Sequence, residues 1–132
     1  MKQVVVGIIS KIENGEEKYL LVSSTRDFGE FTGFYYPPGG HLDGGEDEKS
    51  ALVREIVEEL NVEVKPIAKL ATTAGDVTDQ TTTWWACEIA AEASITVDKD
   101  EIADLKWLTR AQILSSEKIW PATKDFFEKY ID

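Results

Sequence analysis

The sequence predicts an α/β fold in which a mixed sheet is covered by helices on both faces. Three observations carry that expectation. Strand-like apolar runs stand on either side of one helix-period segment, two further short helices close the chain, and 132 residues suit a single domain, 1–132, with a core of its own. Val4 to Ile9 run apolar, the pattern breaks at Glu13-Asn14-Gly15-Glu16, and it resumes at Tyr19 to Val22, which reads as a hairpin turning at Asn14-Gly15. From Ser23 to Gly45 the composition shifts to Gly, Pro and aromatics, the mark of a long functional loop, with a short strand at Phe34 to Tyr36. The helix that follows carries Leu52, Val53, Ile56, Val57 and Leu60 on one side at helical spacing. Beyond it lie strands at about Glu63 to Ala74, Thr81 to Ala90 and Leu105 to Leu108, with a weaker one around Ile95. The last helix begins near Pro121, a residue suited to a first helical turn, and turns Phe126, Phe127 and Tyr130 inward. No repeat, linker or low-complexity tract interrupts the chain.

Composition narrows the partners. With 25 acidic and 14 basic side chains the net charge is -11, which argues against a nucleic-acid polymer, because such binding relies on Lys and Arg neutralising phosphates. A small anionic substrate remains open to an acidic protein if a divalent ion bridges the two. The single cysteine, Cys87, lies in an apolar stretch, so no disulfide framework exists and a reducing, cytoplasmic compartment is expected. The apolar run in MKQVVVGIIS is too short to span a bilayer and has no small-residue cleavage site after it; neither a membrane partner nor export is expected. Monomer and homodimer both stay open.

The densest chemistry lies in residues 40–62. Glu55 shares a helix face with Glu58 at i+3 and Glu59 at i+4, around Arg54. Like charges at that spacing cost a few tenths of a kcal/mol in an isolated helix, and a hard cation, Mg2+ or Mn2+, attracted to oxygen ligands explains the cluster. The plainer alternative is a solvated acidic face. Glu46, Asp47 and Glu48 carry their own plain reading, since acids in a first turn favour the positive end of the helix dipole.

Set against the Nudix signature G-x5-E-x7-R-E-U-x-E-E-x-G-U, where U is a bulky aliphatic residue, the chain supplies Gly40, Glu46, Arg54, Glu55, Ile56, Glu58, Glu59 and Val62. Asn61 replaces a glycine, and asparagine is the side chain that next best tolerates the left-handed backbone region. Pro37-Pro38-Gly39-Gly40-His41 also resembles the usual approach to that box; His41 is given no catalytic role. On these residues the chain resembles the Nudix hydrolases, MutT-like members in particular. The resemblance implies a Nudix-like α/β/α sandwich with a mixed β-sheet and a loop-helix-loop motif, and hydrolysis of a nucleoside diphosphate linked to a further group X.

It also implies roles. Glu55, Glu58 and Glu59 would form the metal shell, Glu46 joining through water or a further ion and Gly40 through its carbonyl, while Arg54 orients the glutamates. The general base is either Glu55 or Glu101, the latter in the loop before Leu105-Lys106-Trp107-Leu108; Asp100 and Asp104 are fallbacks, and a polar turn is the plain reading of that loop. Arg26 stands where related sequences place a phosphate-binding residue, Phe34 and Tyr36 could wall a base pocket, and Trp120 stands where MutT-like proteins meet purine edges. Each has a structural alternative as a surface or core residue. Trp84 and Trp85, adjacent in a strand, point to opposite faces, so at most one lines a cleft. Neither the proline of nucleotide-sugar enzymes nor the tyrosine of diadenosine polyphosphate enzymes stands around Thr78, which favours a (deoxy)nucleoside triphosphate, cleaved to NMP and pyrophosphate. Ala122 and Thr123 fill the positions from which oxidised-guanine sanitisers read the base, so weak base discrimination is expected. The alternatives are a dinucleoside polyphosphate or nucleotide-sugar pyrophosphatase and a non-catalytic nucleotide sensor; an isopentenyl diphosphate isomerase would need a catalytic cysteine, and Cys87 lies in an apolar strand.

Overall fold

The computed structural model describes residues 2–76, 79–90 and 93–132. Strand β1 (Lys2–Glu13) turns into β2 (Glu16–Ser24) through Asn14 and Gly15, both at positive φ (53° and 80°), the two-residue turn whose twist matches that of the strands. A 3-10 turn (Gly29–Phe31) and two short strands, β3 (Tyr35–Tyr36) and β4 (Gly39–His41), lead to α1 (Glu48–Leu60). Then come β5 (Lys65–Ala74), β6 (Gln80–Glu88), β7 (Ile102–Leu108), α2 (Arg110–Ser115) and α3 (Pro121–Tyr130). The sheet runs β3-β2-β1-β6-β5, with β4 added to β1 and β7 to β2. The β1–β6 pair is parallel and the other pairs antiparallel, so the sheet is mixed, as the sequence predicts.

Alternation along β1 divides the core in two. Val5 and Ile9 face α1, where they join Leu20, Val22, Leu52, Ile56, Leu60 and Trp85. Val6 and Ile8 face the other side, with Leu21, Trp84, Ile113, Phe126 and Phe127. Trp84 and Trp85 do point apart, and Trp84 stacks on Phe126 with centroids 4.1 Å apart.

Several expectations need correction. Val57 is 39% exposed: the buried stripe of α1 is Ala51, Leu52, Ile56, Glu59 and Leu60. At about 100° per residue Glu59 falls only about 20° from Leu52, in the middle of that stripe. Tyr130 is half exposed at the end of α3, its ring resting on Phe126. Around Ile95 there is no strand; the amides of Thr96 and Asp98 instead bond the α1 carbonyls of Leu60 and Glu59 (3.1 and 2.8 Å), so this segment satisfies helix-end acceptors rather than a ladder. Strand β4 lies in what reads as loop, and the strand expected at Phe34 holds only Tyr35 and Tyr36.

Asn61 adopts the left-handed conformation (φ 53°, ψ 37°) as the C-cap of α1, and its Nδ2 donates to Thr96 O at 2.6 Å. Asn61→Ala removes that bond and leaves in the left-handed conformation a side chain that tolerates it less well than asparagine does. The expected loss is about 1–3 kcal/mol of unfolding free energy, measured by urea denaturation. Asn61→Gly, which relieves the strain, should lose less.

Candidate functional site

The acidic residues of α1 are organised by one cation. Asp47 caps the helix by accepting from Ser50 N, which fixes where the following turns point. Arg54 reaches back with Nε and Nη2 to both oxygens of Glu46 (2.8 and 2.9 Å), and its Nη1 bonds Glu55 Oε1 at 3.0 Å and Glu58 Oε1 at 3.3 Å. Its Nη2 also meets His41 O at 3.3 Å, tying the helix to β4. The Arg54 guanidinium, helped by the Asp43 amide, holds the Glu46 carboxyl down at about 2. Glu46 therefore spends both oxygens outside the cleft, and the structure does not bring it into the wall formed by Glu55, Glu58 and Glu59.

Those three line a cleft of about 370 Å³ together with Glu101. Glu59 is 6% exposed, and its Oε1 accepts from Gly39 N at 3.1 Å. Burial pushes its carboxyl up to about 8; the Gly39 N–H works the other way, while Glu55, Glu101 and Glu58 add to the rise. Glu55 is likewise raised, first by burial and against the pull of Arg54. Gly40 matters through what it lacks: a Cβ there would stand 2.4 Å from the Glu55 carboxyl carbon, so only glycine lets that carboxylate rest on β4.

Such a donor set fits a hard divalent ion. It offers oxygens alone, and one carboxylate sits in the apolar stripe of α1 with like charges around it. Among the described residues no three acidic, histidine or cysteine side chains converge on one point as they stand. Arg54 shares Glu55 and Glu58, so an ion would compete with its Nη1 for them.

Other expected residues fall as follows. Arg26, Tyr36 and Trp120 line the cleft, and β7 pairing with β2 brings Glu101 beside them, its carbonyl accepting from Thr25 N at 3.0 Å. Phe34 does not line it; its ring packs on Phe31 with centroids 5.2 Å apart. Neither Asp100 nor Asp104 does, and Asp104 accepts from the Tyr35 hydroxyl. Phe28, Asp76 and Gln80 line the cleft without a role read from the sequence, and of the two adjacent tryptophans Trp84 is the one that lines it. Phe28 stands edge-on to Trp120 at 5.5 Å, and Phe31 covers one Trp120 face at 4.7 Å. Only the fold juxtaposes them, since Asp76 meets the start of α3 through Ala122 N, 46 residues away. Thr78 lies outside the described residues.

The NUDIX domain family model matches residues 1–130. The chain belongs to the NUDIX family. It is accordingly a hydrolase of phosphoanhydride bonds, and the family generally uses divalent ions such as Mg2+. Solved structures agree on the fold. A MutT protein from Methanosarcina mazei superposes with a TM-score of 0.77 at 24% identity, over 97% of this chain and 91% of that one. An Ap4A hydrolase from C. elegans gives 0.77 at 18%, over 98% and 94%. The NUDIX domain of Shewanella oneidensis NrtR, solved with ADP ribose, gives 0.73 at 16%, over 96% and 83%. Comparison with curated proteins gives no match. Among the described residues, no helix of this NUDIX chain is long and apolar enough to cross a membrane.

Proposed function

We propose that this NUDIX protein is a Mg2+- or Mn2+-dependent (deoxy)nucleoside triphosphate pyrophosphohydrolase, releasing NMP and pyrophosphate. The observation that carries the reading is the make-up of the cleft: four carboxylates, Glu55, Glu58, Glu59 and Glu101, and an aromatic pair, Phe28 and Trp120, line one space of about 370 Å³. Ligand pockets span about 300–1,000 Å³, so this space is large enough for a nucleotide. An aromatic end takes a base, and the acidic wall takes phosphates once a cation neutralises it.

Glu55, Glu58 and Glu59 would hold the ion. Bound there, a divalent cation offsets charge developing on the phosphate oxygens and acidifies water. The chain's own residues do the rest. Glu46 fixes Arg54, Arg54 fixes the rotamers of Glu55 and Glu58, and Gly40 admits Glu55 to its seat. Arg26 holds a phosphate, and Trp120 and Phe28 receive the base. Tyr36 closes the wall beside Glu59. Of the two candidate bases we assign Glu101, because Glu55 is engaged by Arg54 while Glu101 is exposed on the cleft. The protein works on a small nucleotide in a reducing cytoplasm, consistent with its lone buried Cys87.

Incubation with magnesium and a panel of nucleotides tests this. Pyrophosphate and monophosphate products support it; two nucleotide products from a dinucleoside polyphosphate, or a sugar phosphate from a nucleotide sugar, with triphosphates untouched, overturn it. Nucleotide binding without turnover identifies a sensor. The ion has a separate signature: magnesium at a hundredfold excess over its Kd adds about 2.7 kcal/mol to folding, read as a rise in Tm. Absence of any rise removes the ion from the site.

A further inference from the structure

Among the described residues that line the aromatic end of the cleft one is anionic, and nothing in the proposed reaction uses it. Asp76, at the β5–β6 turn, lines the cleft that Trp120 also lines, and its two oxygens both meet the amide N–H of Ala122, at 3.0 and 3.2 Å. A carboxylate has about four acceptor positions, and one N–H fills at most a fraction of them. The anchor therefore fixes the carboxylate in place and leaves acceptor capacity toward the cleft. Gln80 lies against the same turn, its Nε2 3.0 Å from where a Cβ on Gly75 would stand, and it too lines the cleft. Trp84, which floors this end, has spent its N–H on Thr73 Oγ1 at 2.9 Å and offers no polar group of its own.

We infer that Asp76 is a specificity-determining residue that selects bases bearing an exocyclic amine. The inference rests on the reading of the cleft as a nucleotide site. Phosphates cannot be what Asp76 meets, since two anions would repel there; the base is the part of a nucleotide left to face it. An acceptor-only group recognises donors. Guanine, cytosine and adenine each present an amino group, whereas thymine and uracil present carbonyl oxygens with a single ring N–H. Against those carbonyls the carboxylate is repulsive, and a site built to accept from an amine discriminates strongly when the amine is missing. Gln80 supplies a donor and an acceptor beside it and refines the choice among amino-bearing bases. The weak base discrimination expected from Ala122 and Thr123 is thereby replaced by a reader anchored on the Ala122 amide itself.

The test uses non-hydrolysable α,β-methylene triphosphates of guanosine, cytidine, adenosine and thymidine, titrated with magnesium into the full chain. The wild type should bind the three amino-bearing analogues tighter than the thymidine one by about tenfold or more. Asp76→Asn keeps an oxygen for Ala122 N–H and turns the other side of the carboxyl into a donor, so its preference should collapse or invert toward thymidine. Asp76→Ala should flatten the preference. Equal affinities in the wild type, no binding of any analogue, or an Asp76→Asn variant that weakens all four by the same factor would overturn the inference, the last because helix capping alone has that signature. Turnover of unmodified triphosphates is measured in parallel. Base preference without hydrolysis sinks the proposed reaction and leaves the reader in place; hydrolysis without base preference does the reverse.

Discussion

Glu58→Gln is expected to lower kcat by about 10³-fold, because charge stabilisation supplied by a bound ion is worth several kcal/mol, while leaving the fold nearly untouched. Glu58 is half exposed and, among the described residues, pairs only with Arg54 Nη1, at 3.3 Å, across one turn of α1. Exposed pairs of that kind contribute about 0–1 kcal/mol, and glutamine keeps the shape. The loss should therefore come without a comparable change in urea midpoint. A second measurement separates ligation from mere wall-building: the magnesium-induced rise in Tm should shrink in Glu58→Gln. Full turnover in this variant would remove α1 from the chemistry. Normal magnesium stabilisation with low turnover would move Glu58 from the ion to the substrate.

Local patterns explain why much of this protein can be read from its sequence. The hairpin needs only Asn14-Gly15 between two apolar runs, and α1 needs only its periodicity and the Asp47 cap. The failures are non-local. Strand β4 consists of Gly39, Gly40 and His41, which carry no alternation, and it exists because Val4, Val5 and Val6 offer it an edge. Val57 has the right polarity for the core but lies on the wrong side of a stripe that centres on Leu52. Burial of Glu59 follows from that same rotation, and nothing in composition announces a carboxylate among apolar neighbours. At the aromatic end the sequence points to Phe34, and no local pattern singles out Phe28. The 3-10 turn decides between them by sending Phe28 to Trp120 and leaving Phe34 behind Phe31. Asp76 and Gln80 have no signature, because the α3 N-terminus that completes their pocket is distant in the chain.

Glu101→Gln provides the other large effect, and comparison with Glu55→Gln decides which carboxylate takes the proton. A positioned base contributes about 10²–10⁴-fold, so Glu101→Gln should lose kcat on that scale. Its magnesium-induced stabilisation should stay intact, because Glu101 stands on the loop before β7 and is not among the α1 carboxylates assigned to the ion. Glu55 is tied to Arg54 at 3.0 Å and seated on Gly40, so Glu55→Gln should lose turnover and magnesium stabilisation together. The opposite pattern, with stabilisation lost in Glu101→Gln and kept in Glu55→Gln, would exchange the two roles. Gly40→Ala supplies the control. Its Cβ must displace the Glu55 carboxylate without altering any charge, so a variant that loses magnesium stabilisation in step with Glu55→Gln places the ion at that seat, whereas unchanged stabilisation detaches Glu55 from it and returns the residue to candidacy as the base.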